Sequence, residues 1–180
     1  MLLTACRYIV LALMLIGLHV ATAAHAAQSD ETQLKAVFVL NFAKLTEWPA
    51  TAADENGTFS IAILGKAPPS VFLKTLQSQT IHGVKVSVRH IEEAGEAKGV
   101  RLVFVSSADR HRLSGVLREL NQQNILTVSD MPGFCEAGGM IGLIPVQNRL
   151  GFEVNLAAAR KSRLTLSSQL LKLAKTIHGQ

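Results

Sequence analysis

The stretch that decides the fold is Leu126–Leu156, LTVSDMPGFCEAGGMIGLIPVQNRLGFEVNL. It opens on an apolar run, Ile125 to Val128 with its flank, which reads as a buried strand. Ser129-Asp130-Met131-Pro132-Gly133 then reads as a turn, with proline presetting φ and glycine supplying the unusual dihedral. Met140–Val146 and Arg149–Asn155 follow as two strands separated by Gln147-Asn148, the pattern of an antiparallel hairpin.

Upstream, strands and helices alternate. Asp30 to Thr46 is predicted helical, with Leu34, Val37, Phe38, Phe42 and Leu45 recurring at three- and four-residue steps. Pro49 stops it. Thr58–Leu64 is an apolar, β-branched strand, and Pro68-Pro69 starts a short helix over Ser70–Gln77. Val84–Arg89 alternates apolar and polar residues, as a strand with one wet face does. Val100–Val105 is a fully buried strand. The next helix, capped by Ser107 or Asp109, buries Leu113, Val116, Leu117 and Leu120. Ser167 caps a final helix with Leu170, Leu173, Ala174 and Ile177 on one face. This order implies βαβ units: an α/β fold, a three-layer sandwich with a mostly parallel sheet and an antiparallel C-terminal hairpin.

The N-terminus sets the compartment. Arg7 is the only charge in the first 29 residues, Tyr8–Val20 is apolar over 13 residues, and Ala24-His25-Ala26 offers an A-x-A cleavage site. The run falls short of the roughly 20 residues a spanning helix needs. Residues 1–26 therefore read as a secretory signal and 27–180 as one exported domain. Removing the signal leaves Cys135 as the lone cysteine, so no internal disulfide is available. Net charge falls from +5 to +4 with the loss of Arg7. Residues 156–180 carry five Lys or Arg and no Asp or Glu. That basic end suits an acidic partner, anionic headgroups or a solvated helix face. Nucleic acid is excluded by the compartment and by the single Trp and single Tyr, the Tyr lying in the signal.

Catalytic and cofactor motifs fail on their own residues. Gly65-Lys66 follows a strand, but Ala67-Pro68-Pro69 breaks any phosphate loop, because proline has no N–H to give. The G-x-G-x-x-G fingerprint is missing, and so is H-E-x-x-H spacing among His82, His90, His111 and His178. Ser106, Ser107 and Ser129 lie at strand ends near Asp109 or Asp130, without a G-x-S-x-G frame. His82 before Gly83 reads as a turn residue. The expectation is no catalytic residue, no cofactor and no metal. A binding patch is expected instead on the hairpin: Ile141, Leu143, Phe152, Glu153 and Asn155, with Glu153 and Asn155 facing outward on an edge strand. Trp48, at the helix exit, is the remaining candidate anchor.

Several segments carry a family resemblance. LKAVFVLNFAKLTEWP (Leu34–Pro49), TIHGVKVSVRHI (Thr80–Ile91), LVFVSSADRHRL (Leu102–Leu113), LTVSDMPGFCEAGGMIGL (Leu126–Leu143) and RLGFEVNLAAARKSRLTLSSQLLKLAKTI (Arg149–Ile177) resemble, in one collinear order, the YfiR family of exported bacterial proteins. The resemblance implies a periplasmic α/β domain, a three-layer Rossmann-like sandwich, that acts as a non-enzymatic regulator. Such proteins bind and repress the periplasmic sensor portion of an inner-membrane diguanylate cyclase, lowering cyclic-di-GMP and biofilm formation. An OmpA-like outer-membrane lipoprotein relieves the hold, and homodimers occur. Some members form disulfides around the glycine segment; here Gly142 stands where a second cysteine would close a short loop with Cys135. Two other readings stay open: a small-molecule sensor with a cleft at Gly65, Ser106 and Ser129, and an exported hydrolase.

Overall fold

Six consecutive buried residues, Phe59–Leu64, make a strand (β2) with no wet face, which demands a layer of structure on both sides. The computed structural model describes residues 29–49, 57–121, 123–147 and 149–179; the expected signal, residues 1–26, lies outside them. A first helix (α1) spans residues 29–44. Then come β1 (Thr46–Glu47), β2, α2 (Ser70–Gln77), β3 (Thr80–Ile81), β4 (Val84–Ile91) and β5 (Leu102–Val105). The chain continues through α3 (Leu113–Leu120), β6 (Leu126–Ser129), β7 (Ile141–Val146), β8 (Arg149–Asn155), α4 (Leu156–Lys161), β9 (Thr165–Leu166), α5 (Ser168–Leu173) and β10 (Thr176–His178).

Eight strands form one sheet in the order β10-β8-β7-β6-β5-β2-β4-β3. The five strands β4, β2, β5, β6 and β7 run parallel. β8 returns antiparallel on β7, with Phe152 opposite Leu143 and Val154 opposite Ile141. This is the Rossmann-like α/β fold, with the antiparallel hairpin where the sequence places it. β1 and β9 make a separate two-stranded antiparallel ribbon.

Alternation along the central strands builds two cores. Ile61, Ile63, Leu102, Phe104, Leu126 and Val128 point to the face that carries Ala36, Val39, Leu40, Phe72 and Leu170 of the helices α1, α2 and α5. Ala62, Leu64, Val103 and Val105 point to the opposite face, against Leu113, Val116, Leu117 and Leu120 of α3 and against Met131 and Phe134. Each fully buried large side chain contributes about 1.5–3 kcal/mol, so the sheet is held from both sides. His82 (φ 51) and Gly83 (φ 82) form the tight turn between β3 and β4, as the sequence suggests.

Two expectations are corrected. The last helix ends at Leu173 and does not reach Ile177: Ala174 is extended, and Thr176–His178 pairs parallel with Glu153–Asn155 of β8. Consequently β8 is not an edge strand. The bare side of the hairpin is covered by β10, whose β-branched Thr176 and Ile177 suit a strand.

Candidate docking face

The parallel strands run in the spatial order second-first-third-fourth-fifth, so the connections part at β2 and β5. In open α/β sheets that switch point is where small ligands bind, beyond the carboxyl ends of the strands. Here it is filled by protein. Gly65 (φ +80) ends β2, and a Cβ placed on it would stand 1.5 Å from Asp109 Oδ2. Asp109 is 6% exposed. Its Oδ1 accepts from Arg112 Nε at 2.6 Å, while Oδ2 has no hydrogen-bond partner. Arg112 also pairs with Glu93 at 2.9 Å and donates to the Glu92 carbonyl. Arg110 donates to the Pro132 carbonyl at 2.7 Å. Residues 107–112, a 3-10 segment, are thus strapped across the strand ends from both sides.

The serines expected at such a cleft are committed elsewhere. Ser129 is fully buried; its hydroxyl donates to the Val105 carbonyl at 2.7 Å and accepts from Met131 N at 3.0 Å. Ser106 caps the 3-10 segment through Ala108 N. His111 is exposed. Asp109 takes the space directly over Gly65, and the cavity that remains beside it, about 230 Å³, lies between α2 and the ends of β2 and β4, lined by Ile63, Ala67, Leu73, Val88 and His90.

The hairpin residues singled out in the sequence are mostly interior. Ile141 is fully buried, Leu143 is 2% exposed and Phe152 5%. Glu153 does lie on the face opposite Phe152 and Val154, but that face is covered. Its side chain is only 12% exposed and meets His178 Nε2 at 3.0 Å, tying β10 to β8. Asn155 caps α4 by accepting from Ala158 N at 2.9 Å, and its amide donates to the Cys135 carbonyl at 2.8 Å. The outward, edge-strand placement of Glu153 and Asn155 is therefore overturned by two elements distant in sequence, the Met131–Gly139 turn and β10. Trp48 is half-buried: its Nε1 donates to the Arg101 carbonyl at 3.2 Å, its ring meets Phe59 edge-on at 5.4 Å, and the Arg101 guanidinium lies 5.7 Å from its centroid.

Cys135 is buried and free. Burial, and then the charge of Glu153, pushes its thiol up to about 12. A thiol held neutral in this way is a poor nucleophile. Gly142 lies beside it, a Cβ there falling 3.5 Å from the sulfur. Among the described residues no cluster of three His, Cys, Asp or Glu is arranged to hold a metal ion.

What remains open is a face that the sequence pattern hid. Helix α1 is apolar around most of its circumference. The expected inward stripe was Leu34, Val37, Phe38, Phe42 and Leu45. The residues that meet the sheet are Ala36, Val39, Leu40, Phe42 and Ala43. Phe42 belongs to both sets. Leu34 is 43% exposed and Val37 39%, and Phe38 and Leu45 are half-buried. α1 thus has one apolar stripe on the core and a second along the outside. The second stripe runs into a groove of about 400 Å³ between α1 and α5, lined by Phe38, Asn41, Phe42, Lys44, Leu45, Phe152, Gln169, Leu170 and Leu173. Its floor is a three-ring cluster, Phe38–Phe42 at 5.8 Å, Phe38–Phe152 at 6.0 Å and Phe42–Phe152 at 4.9 Å. Leu173, at the end of α5, is 67% exposed on its lip. It is left there because Lys175 N donates to the Phe152 carbonyl at 2.8 Å, turning the chain into β10 after less than two turns of helix.

At the far end of α1, Lys35 bonds both Asp130 (3.0 Å) and Glu31 (3.1 Å). Burial pulls the Lys35 ammonium down, but the bonds to Asp130 and Glu31 outweigh it and hold the pKa above its ordinary value. This ties α1 to the Ser129–Gly133 turn and fixes the helix register, and with it the side that faces outward.

A sequence profile of a family described as YfiR/HmsC-like matches residues 32–175 of the chain. No curated protein matches it. Among solved structures, a conserved domain protein from Vibrio cholerae O1 biovar El Tor strain N16961 is 13% identical, with 67% of this chain and 55% of that one covered at a TM-score of 0.47. The ABC domain from Streptococcus pneumoniae, solved in complex with L-Trp, is also 13% identical, with coverage of 77% and 59% and a TM-score of 0.49. The chain spans little more than half the length of either.

Proposed function

The chain belongs to the YfiR/HmsC-like family, and from that premise we propose that it is a periplasmic regulator of cyclic-di-GMP signalling that acts by docking. In this reading it binds the periplasmic sensor portion of an inner-membrane diguanylate cyclase and holds it inactive. The observation that carries the reading is the pairing of a filled switch point with an outward apolar stripe. Asp109 occupies the place where a sheet of this order would take a substrate. Leu34, Val37 and Leu173 spend large apolar surface on solvent with no part in the core.

Repression is then differential binding. A regulator shifts a cyclase only by preferring its inactive state. Moving that equilibrium from 1:99 to 99:1 takes about 5.5 kcal/mol of preference. A lipoprotein of the OmpA-like type that sequesters the regulator would release the cyclase by mass action. The hairpin contributes through Phe152, whose ring floors the groove; Ile141, Leu143, Glu153 and Asn155 support that surface from behind, and Trp48 braces the exit of α1. Self-association through Leu34 and Val37 accounts for a homodimer.

The test is genetic and biochemical together. Deleting the gene should raise cellular cyclic-di-GMP and biofilm mass, and the purified protein should bind the periplasmic domain of the cognate cyclase. Unchanged cyclic-di-GMP with no binding to that domain overturns the reading.

A further inference from the structure

We propose that the groove between α1 and α5 seats an acidic, amphipathic segment of a protein partner. Its apolar side chains enter against Phe38, Phe152 and Leu173, and its carboxylates meet the surrounding lysines. The proposal rests on the regulatory reading above and specifies the chemistry of what is recognised.

Among the described residues the groove's lining is apolar apart from Asn41, Gln169 and Lys44, of which Lys44 alone is ionised. Lys172 and Lys175 stand exposed beside Leu173. Among the described residues none of these three lysines takes part in an ion pair. No carboxylate from the same end of the chain neutralises them, since residues 156–180 contain none. An apolar trough with Lys44 in its lining, and with two more exposed lysines close to Leu173 in the chain, is complementary to an apolar ridge flanked by acids. Its volume of about 400 Å³ lies within the range of about 300–1,000 Å³ that buries a ligand-sized group.

Other occupants fit less well. Two copies of this chain meeting at the groove would set lysine against lysine. A bilayer would engage the lysines but leave the concavity above the Phe38 and Phe152 rings empty.

The test uses two fluorescein-labelled synthetic helices, each with leucine on one face, one with glutamate and the other with lysine on the opposite face. Fluorescence anisotropy with the purified protein should show the glutamate helix binding at least tenfold more tightly than its lysine twin, and weakening as salt rises. Leu173→Glu and Lys44→Glu should each weaken it at least tenfold. Both residues are exposed, so both variants should keep the wild-type thermal midpoint. Equal binding of the two helices, or undiminished binding by both variants, overturns the proposal. So does tighter association with phosphatidylglycerol vesicles, or self-association that Leu173→Glu abolishes. Binding of the cyclase periplasmic domain that survives both substitutions removes the groove assignment and leaves the regulatory reading standing. Failure of wild type to bind that domain while the glutamate helix still binds does the reverse.

Discussion

Replacing Gly65 by alanine probes whether Asp109 really fills the switch point. Alanine at φ +80 carries a backbone cost of about 1–2 kcal/mol, because its Cβ crowds the carbonyl in the left-handed region. The new methyl would also stand 1.5 Å from Asp109 Oδ2 and 2.5 Å from Cγ, so the carboxylate must leave. Leaving breaks the 2.6 Å bond to Arg112 at a site where the aspartate side chain is 9% exposed. Severing a buried pair costs about 3–5 kcal/mol. Arg112 is more open, at 27%, and keeps Glu93, which discounts that figure to roughly 2–3 kcal/mol. The total, about 3–5 kcal/mol, corresponds to a fall in the thermal midpoint of roughly 6–20 °C for a chain of this size. With Asp109→Ala already in place the methyl meets no carboxylate, and adding Gly65→Ala should cost only the backbone part, about 1–2 kcal/mol. Urea unfolding of the wild type, both single variants and the double variant, followed by circular dichroism, gives the coupling directly. A coupling of about 2–3 kcal/mol is expected. A coupling below about 0.5 kcal/mol would mean the two sites are independent. The strand ends would then be open to a ligand, and a small-molecule site there would return.

Three further outcomes follow from the same geometry. Cys135, with its pKa raised to about 12, should resist iodoacetamide at pH 8 in the folded protein by at least about a thousandfold relative to the guanidinium-unfolded chain, from the thiolate fraction alone; labelling at the unfolded rate would refute its burial. The same shift makes stability fall with alkali. Above pH 9 the unfolded thiol ionises while the folded one keeps its proton, so unfolding releases protons and stability declines by about 1.4 kcal/mol per pH unit until the folded group titrates near 12. Urea titrations between pH 8.5 and 11 should show that slope, flattened in Cys135→Ala. Gly142→Cys should form a disulfide with Cys135 when the chain is refolded under oxidising conditions, since its Cβ falls 3.5 Å from the sulfur. Closing so short a loop contributes about 2.5 kcal/mol before strain, part of it offset by crowding on Glu153, whose Oε1 lies 3.1 Å from the new Cβ. Thiol titration and non-reducing mass spectrometry decide the point.

How much the sequence disclosed depends on whether the relevant partner is local. The buried set of α3, Leu113, Val116, Leu117 and Leu120, follows from a helix with one apolar face, and it is found as read. The hairpin Ile141–Val146 and Arg149–Asn155 is equally local and equally legible. Helix α1 defeated the same logic. Apolar residues sit on both its sides, and periodicity alone cannot say which stripe meets the sheet; the Lys35–Asp130 bond, 95 residues apart, helps decide it. Residues 176–178 look like the last turn of a helix until β8 is there to pair with them. Glu153 shows the limit most clearly. Alternation along β8 assigns it to the correct face, yet only His178 and the Cys135 turn reveal that this face is closed to solvent. Of the hairpin residues singled out in the sequence, Phe152 lines the groove beside α1, while Ile141 and Leu143 are buried.

The apolar surplus on α1 separates two kinds of selection. Substitutions at Ala36, Val39 or Leu40 reach the sheet and would be purged as misfolded protein. Charged replacements at Leu34 or Val37 leave the interior untouched and would yield abundant, well-folded and better-behaved material. Polishing those two positions for handling in the test tube would remove the proposed outward contact surface, and a thermal melt would give no warning.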